Sequence, residues 1–123
     1  MSAAMWVLAI LACGAGATVR FLIAHLDPEP GFPWTTIVSN TIGSAVLGAA
    51  AAALAGGADA SAGLIVGAGF AGGLSTYSTL AVDAVVLANA RRAGAFLGYL
   101  AATLSAGVAA GLTGYAAWSE LVL

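Results

Sequence analysis

Charge is what this 123-residue sequence has least of: charged residues make up 7% of it, with three basic and five acidic side chains. A soluble domain cannot solvate its surface with so few. The net charge of −2 leaves no basic patch for nucleic acid and no electrostatic tether to a membrane surface. A single cysteine, Cys13, excludes an internal disulfide; it falls inside the first apolar run and reads as a small packing residue. One histidine, His25, in a connecting segment and no paired carboxylates leave no nucleophile and base together, so an enzyme is not expected. No basic residue precedes the first apolar run, as a secretory leader requires. Cys13 followed by Gly14 is therefore not read as a lipoprotein cleavage site, and the run is expected to be retained.

What the sequence does have is grease. Hydrophobic residues are 62% of the chain and the mean hydropathy is +1.05. A hydrocarbon core of roughly 30 Å is crossed by about 20 apolar residues in a helix. Four such blocks are predicted, at 5–24, 35–55, 62–88 and 93–118. The connections at 25–34, 56–61 and 89–92 are short, which makes consecutive spans antiparallel. The expected fold is an all-α integral membrane protein of four transmembrane helices, a single domain over 1–123, multi-pass in the cell membrane and bathed by membrane lipid.

Four helices of this length enclose little, so a pathway through the membrane requires a second copy or a relative. Small residues recur at close spacing, Gly43 and Gly48 in the second span and Gly107, Gly111 and Gly114 in the fourth. They allow helix backbones to approach where water provides no driving force. Packing within one subunit and packing between subunits both remain open.

The third span carries the richest polar chemistry. Gly69, Gly72 and Gly73 lead into Ser75-Thr76-Tyr77-Ser78-Thr79, a run of weak helix formers whose hydroxyls compete for the backbone. A helix break is predicted near Gly73 to Thr76. Unwound backbone at membrane depth frees carbonyls that suit a hard cation such as sodium; the alternative is an unbroken helix whose hydroxyls bond back one turn. Ser75, Thr79 and Asp83 follow at i, i+4 and i+8, and Thr36, Asn40 and Ser44 repeat the spacing in the second span. Asn40 has four hydrogen-bond sites to satisfy, either as interhelical glue or along a wet path. Hydroxyls, an amide and aromatic edges suit a small anion, and Arg20 either attracts anions to a vestibule or snorkels to the interface.

These residues resemble the fluoride channel family called Fluc or CrcB. Gly14-Ala15-Gly16-Ala17-Thr18-Val19-Arg20-Phe21 is similar to the family's first helix. Thr35 to Ser44, T-T-I-V-S-N-T-I-G-S, is similar to its asparagine motif, and Gly69 to Leu80, G-F-A-G-G-L-S-T-Y-S-T-L, to its broken-helix signature G-F-x-G-G-x-T-T-F-S-T-F. The resemblance covers nearly the whole chain. It implies a passive fluoride-selective channel that lowers cytoplasmic fluoride, built as an antiparallel dimer. It further implies a structural, untransported sodium ion on the backbone carbonyls of Gly72 and Ser75. Asn40 would face the fluoride path, Ser78 and Thr79 would continue it, and Asp83 would stand in place of a glutamate. Tyr77 and Leu80 fall at two pore phenylalanine positions, and Leu80 departs from the pattern because it has no ring edge to offer an anion.

All three arginines, Arg20, Arg91 and Arg92, fall on the side opposite the termini. The positive-inside rule then favours one orientation with both termini outside the cytoplasm. A subunit of a heterodimer with an oppositely oriented relative is expected to show such a bias, and a homodimer that inserts both ways is not. Two other readings stand beside the channel: a small four-helix proton-coupled drug exporter relying on Asp83, and a structural membrane subunit without transport.

Overall fold

The computed structural model describes residues 2–27 and 31–122, and among them every regular element is helical. Residues 28–30, in the proline-rich connection read at 25–34, lie outside that set. Span one is Ala3–Ala24, span two Trp34–Ala55, span three the interrupted run Ala60–Asn89, and span four Ala93–Val122. All four are long and apolar enough to cross a bilayer. At 1.5 Å per residue span four reaches about 45 Å, so it tilts or projects beyond a core of about 30 Å.

The helix ends follow from local chemistry. Span two stops at Gly56, and Gly57 takes φ +91°, so that its N–H reaches Leu54 O (3.1 Å) while the Ala58 N–H reaches Ala53 O (2.9 Å). This Schellman closure suits glycine, which has no Cβ to clash in the left-handed region. Span three closes with the same pair of bonds, Arg91 to Ala88 O (3.0 Å) and Arg92 to Leu87 O (3.1 Å), but the left-handed residue is Arg91 at φ 54°. A non-glycine residue held there costs roughly 1–2 kcal/mol. At the start of span three, the Asp59 carboxylate accepts the backbone N–H of Ser61 (2.7 Å) and its hydroxyl, and these bonds hold the Asp59 carboxyl below its ordinary value of 3.8.

Span three is not one helix. After a single turn, Ala60–Ala62, it widens over Gly63–Ala71 into a π-helix, in which each N–H reaches back five residues; the Gly72 N–H, bonded to Gly67 O, closes it. Gly72–Leu74 return to α-helix, Ser75 and Thr76 are extended (φ −79°, ψ 156° and φ −149°, ψ 127°), and a new helix runs over Tyr77–Asn89. The break thus lies where glycine and hydroxyl composition placed it. Both local mechanisms operate there: Ser75 Oγ bonds back to Ala71 O (2.9 Å), and Thr76 Oγ1 caps the new helix by accepting the Thr79 N–H (3.2 Å). The π-helical stretch had no counterpart in the sequence pattern.

Close approach explains the glycines. A Cβ built on Gly48 would stand 2.0 Å from Gly111 O, and one on Gly114 would stand 2.1 Å from Ala45 O, so spans two and four touch backbone to backbone. Likewise a Cβ on Gly16 would meet Phe70 O at 2.2 Å and one on Gly73 would meet Cys13 O at 2.1 Å, which seats span one on the first half of span three. These glycines therefore pack within the subunit. At Cys13 it is the backbone that packs, while the residue itself is exposed. A small core of Ile37, Ala84, Leu87 and Tyr99 joins spans two, three and four, and Phe32, Leu80 and Phe96 pack around it. Outward-facing side chains such as Ile10, Leu22, Leu104 and Leu112 are apolar and exposed, as a lipid-facing surface requires.

Candidate functional site

The break in span three is held open by one side chain. Asn40, in the second turn of span two, donates from Nδ2 to Thr76 O (3.0 Å) and accepts the Thr76 N–H on Oδ1 (2.6 Å). An extended residue inside a bundle has no helical partner for either backbone group, and the primary amide supplies both, as a neighbouring strand would. One donor and one acceptor position on Asn40 remain for a further partner. Asn40 is thus glue of a particular kind: it joins span two to the unwound backbone rather than to a side chain.

Unwinding also redirects the residues around it. Ser75 precedes the new helix, so it does not share a face with Thr79 and Asp83, contrary to the i, i+4, i+8 reading, which placed it beyond the break. Thr79 and Asp83 do lie on one helix, and both line a crevice of about 340 Å³ with Thr36, Phe32 and Leu87. Thr76, Ser78 and Thr79 form a hydroxyl cluster at the start of Tyr77–Asn89, with Thr76 Oγ1 3.0 Å from Thr79 Oγ1 and 3.3 Å from Ser78 Oγ. A helix N-terminus flanked by three hydroxyls presents donors and partial positive charge to an anion.

Arg20 lines a second crevice, of about 380 Å³, together with Thr35, Thr36, Ser39, Thr76 and Thr79. Arg20 therefore borders the same open space as Thr76 and Thr79. Thr35, Thr36 and Thr79 line both crevices, which meet across these three residues.

Asp83 is tied to both neighbouring spans. Thr36 Oγ1 donates to Asp83 Oδ2 at 2.8 Å and the Tyr99 hydroxyl donates to the same oxygen at 3.1 Å. Tyr99 is fully enclosed. The sequence reading missed this residue and also Thr103, one turn further along span four, whose hydroxyl oxygen is buried without a hydrogen-bond partner. The available signal was a tyrosine and a threonine four apart in the first half of a largely apolar helix.

The two positions aligned with pore phenylalanines part ways. Tyr77 is 82% exposed, so its ring points out of the four-helix unit. Leu80 is half-buried and packs on the Ile37–Tyr99 core. Gly72 faces open space: an ideal Cβ there would find only Gly67 O, at 3.9 Å. Among the described residues no cluster of three His, Cys, Asp or Glu exists, so a cation near the break would depend on carbonyl oxygens.

Comparison with known proteins gives a consistent picture. The model of the family described as CrcB-like protein, Camphor Resistance (CrcB) matches residues 7–115. A protein of Rhodococcus jostii (strain RHA1), Fluoride-specific ion channel FluC 2, is 40% identical over 115 residues, covering 90% of this chain and 96% of the relative. Fluoride-specific ion channel FluC 1 of Ligilactobacillus salivarius (strain UCC118) is 34% identical over 106 residues, covering 85% and 90%. A second Rhodococcus jostii protein, Fluoride-specific ion channel FluC 1, is 44% identical over 79 residues, covering 63% and 60%.

Proposed function

Because the chain belongs to the CrcB family, we propose that it is a passive, fluoride-selective channel of the cell membrane, a multi-pass protein and not an enzyme. The observation that carries this reading is the match over nearly the whole chain to relatives named as fluoride-specific channels. The site agrees with it chemically. A small anion leaving water needs hydrogen-bond donors in place of its hydration shell, and the cluster at Thr76, Ser78 and Thr79 and the adjoining helix N-terminus offer donors without a fixed charge. Arg20 at the neighbouring crevice concentrates anions near the entrance.

In this reading Asn40 has two duties. It clamps Thr76, and its spare N–H faces the fluoride path. Tyr77 presents its ring edge from the protomer surface to a path shared with a second subunit, whereas Leu80, held in the core, leaves that contact without a ring. Asp83, whose Oδ2 is occupied by Thr36 and Tyr99, fixes the wall of its crevice. A structural sodium ion fits the carbonyl oxygens of Gly72 and Ser75, since Gly72 opens onto free space and Ser75 is extended. Bound there, it would pin the unwound backbones of two subunits together.

The partner is an oppositely oriented subunit. Arg20 lies one turn before the end of span one, and Arg92 bonds to Gly31 of the connection that follows, so the three arginines share one end of the bundle. Asp59 and Glu120 lie at the other end. That bias favours a single orientation, with the arginine end in the cytoplasm. Rhodococcus jostii has two relatives, FluC 1 and FluC 2, so two different subunits are present together in at least one such cell, as a heterodimer requires.

Fluoride efflux from liposomes, read by a fluoride electrode with a potassium ionophore present and chloride as control, tests the proposal. Fluoride loss without chloride loss is expected from this chain together with an oppositely oriented relative. No fluoride loss from either the single chain or the pair, in folded protein, would end the channel reading.

A further inference from the structure

Two segments distant in sequence meet over the Asp83 crevice. The Schellman turn after span three, with Arg91 in the left-handed region, directs Arg92 toward the connection that leads into span two, where its Nη1 donates to the Gly31 carbonyl. Gly31, Phe32 and Pro33 line the 340 Å³ crevice together with Thr36, Thr79 and Asp83. Phe32 meets the enclosed Tyr99 ring edge-on, with centroids 5.9 Å apart and planes at 89°, and the Tyr99 hydroxyl holds Asp83. A single line of contacts therefore runs from Arg92 through Gly31, Phe32 and Tyr99 to Asp83.

We propose that Arg92 is a positioning residue for the ion path: by tethering the Gly31–Phe32 segment it sets the width of this crevice and the orientation of the Asp83 carboxylate in its wall. Arg92 itself does not line the crevice and acts through Gly31, which does. The edge-on Phe32 ring is the only link in the chain that is half-buried and comes from a connecting segment, so it is the link that moves when the tether is lost. A planar guanidinium is suited to this task because its donors lie in a fixed fork. The inference rests on the channel reading for its consequence and on the contacts alone for its mechanism.

The test is a cycle of Arg92→Met, Arg92→Lys, Phe32→Leu and the Arg92→Met/Phe32→Leu double variant. Each is followed by fluoride efflux and by thermal unfolding in detergent. Arg92→Met is expected to lower efflux on the order of tenfold. Lysine, which keeps a donor, restores most of that loss. Since both residues act through one line of contacts, the double variant falls no further than the worse single variant in either readout. The loss should also persist between about 0.1 M and about 1 M salt, over which the screening length shrinks from about 10 Å to about 3 Å. Disappearance of the loss at high salt would make Arg92 a steering charge and overturn the tether, as would losses that multiply in the double variant. Unfolding reads the coupling without any ion flux. If the unmodified protein carries no fluoride even with its relative, the channel reading fails while the unfolding cycle still decides the tether, additive shifts counting against it.

Discussion

Replacing Asn40 by leucine removes the clamp on the broken helix while keeping the number and branching of side-chain heavy atoms. Two hydrogen bonds are lost, at 3.0 Å and 2.6 Å, and both partners are the backbone groups of Thr76, which has no helical alternative. A buried backbone group left unpaired costs about 1–3 kcal/mol. Side-chain bonds between membrane helices average only about 0.6 kcal/mol, because the unfolded state in lipid also finds partners. Thr76 is half-buried, so some water reaches it, which places the combined cost near 2–3 kcal/mol. The comparison variant is Thr76→Val: it removes the hydroxyl that caps the Thr79 N–H, at about 1 kcal/mol, and leaves both bonds to Asn40 in place. Reversible unfolding in mixed detergent micelles gives both free energies, and fluoride efflux from liposomes gives the functional cost. Asn40→Leu should be the more damaging in both measurements, since it frees the segment that carries the Ser75 carbonyl and the hydroxyl cluster. A leucine variant within about 0.5 kcal/mol of the unmodified protein, or one less damaged than Thr76→Val, would refute the clamp.

Gly48→Ala places a Cβ 2.0 Å from Gly111 O and should force spans two and four apart, costing about 1–3 kcal/mol in the same unfolding assay, whereas Gly98→Ala, with no atom within 4 Å, should be neutral or stabilising. Arg91→Gly relieves the left-handed strain at φ 54° and should stabilise the fold by about 1 kcal/mol; it also removes a charge from the arginine end, so a C-terminal topology reporter should show weaker orientation bias. The Asp59 carboxyl is held below 3.8 by Ser61, so its contribution to the start of span three is complete above that value and is lost as pH falls through the lower folded value. Amide protection at residues 60–66, taken relative to the intrinsic exchange rate at each pH, should accordingly fall in acid, and Asp59→Ala should abolish that pH dependence.

Much of the site was legible because it depends on local chemistry. The break near Gly73 to Thr76 follows from glycine and hydroxyl residues that weaken a helix wherever they occur. The same locality explains the errors. Ser75 was set on the Thr79–Asp83 face by placing it beyond the break, whereas the new helix begins only at Tyr77 and Ser75 belongs to the extended segment. Asn40 could be recognised as an amide needing partners, but its partner lies 36 residues away. Tyr99 and Thr103 were overlooked because a tyrosine and a threonine in an apolar helix look alike whether they face lipid, core or a carboxylate.

Composition and hydropathy alone determined that the chain spans a membrane four times, because crossing requires about 20 apolar residues in a helix whatever surrounds them. Motif order alone pointed to the family, since residue identities at fixed spacing need no coordinates. Only the tertiary structure decided that Gly48 and Gly114 pack inside the subunit, that Leu80 belongs to the core, and that Thr36 and Tyr99 converge on one oxygen of Asp83. Those outcomes depend on the rotation and register of each helix against its neighbours. Backbone contact at a few glycines sets them, and no single segment of sequence contains that information.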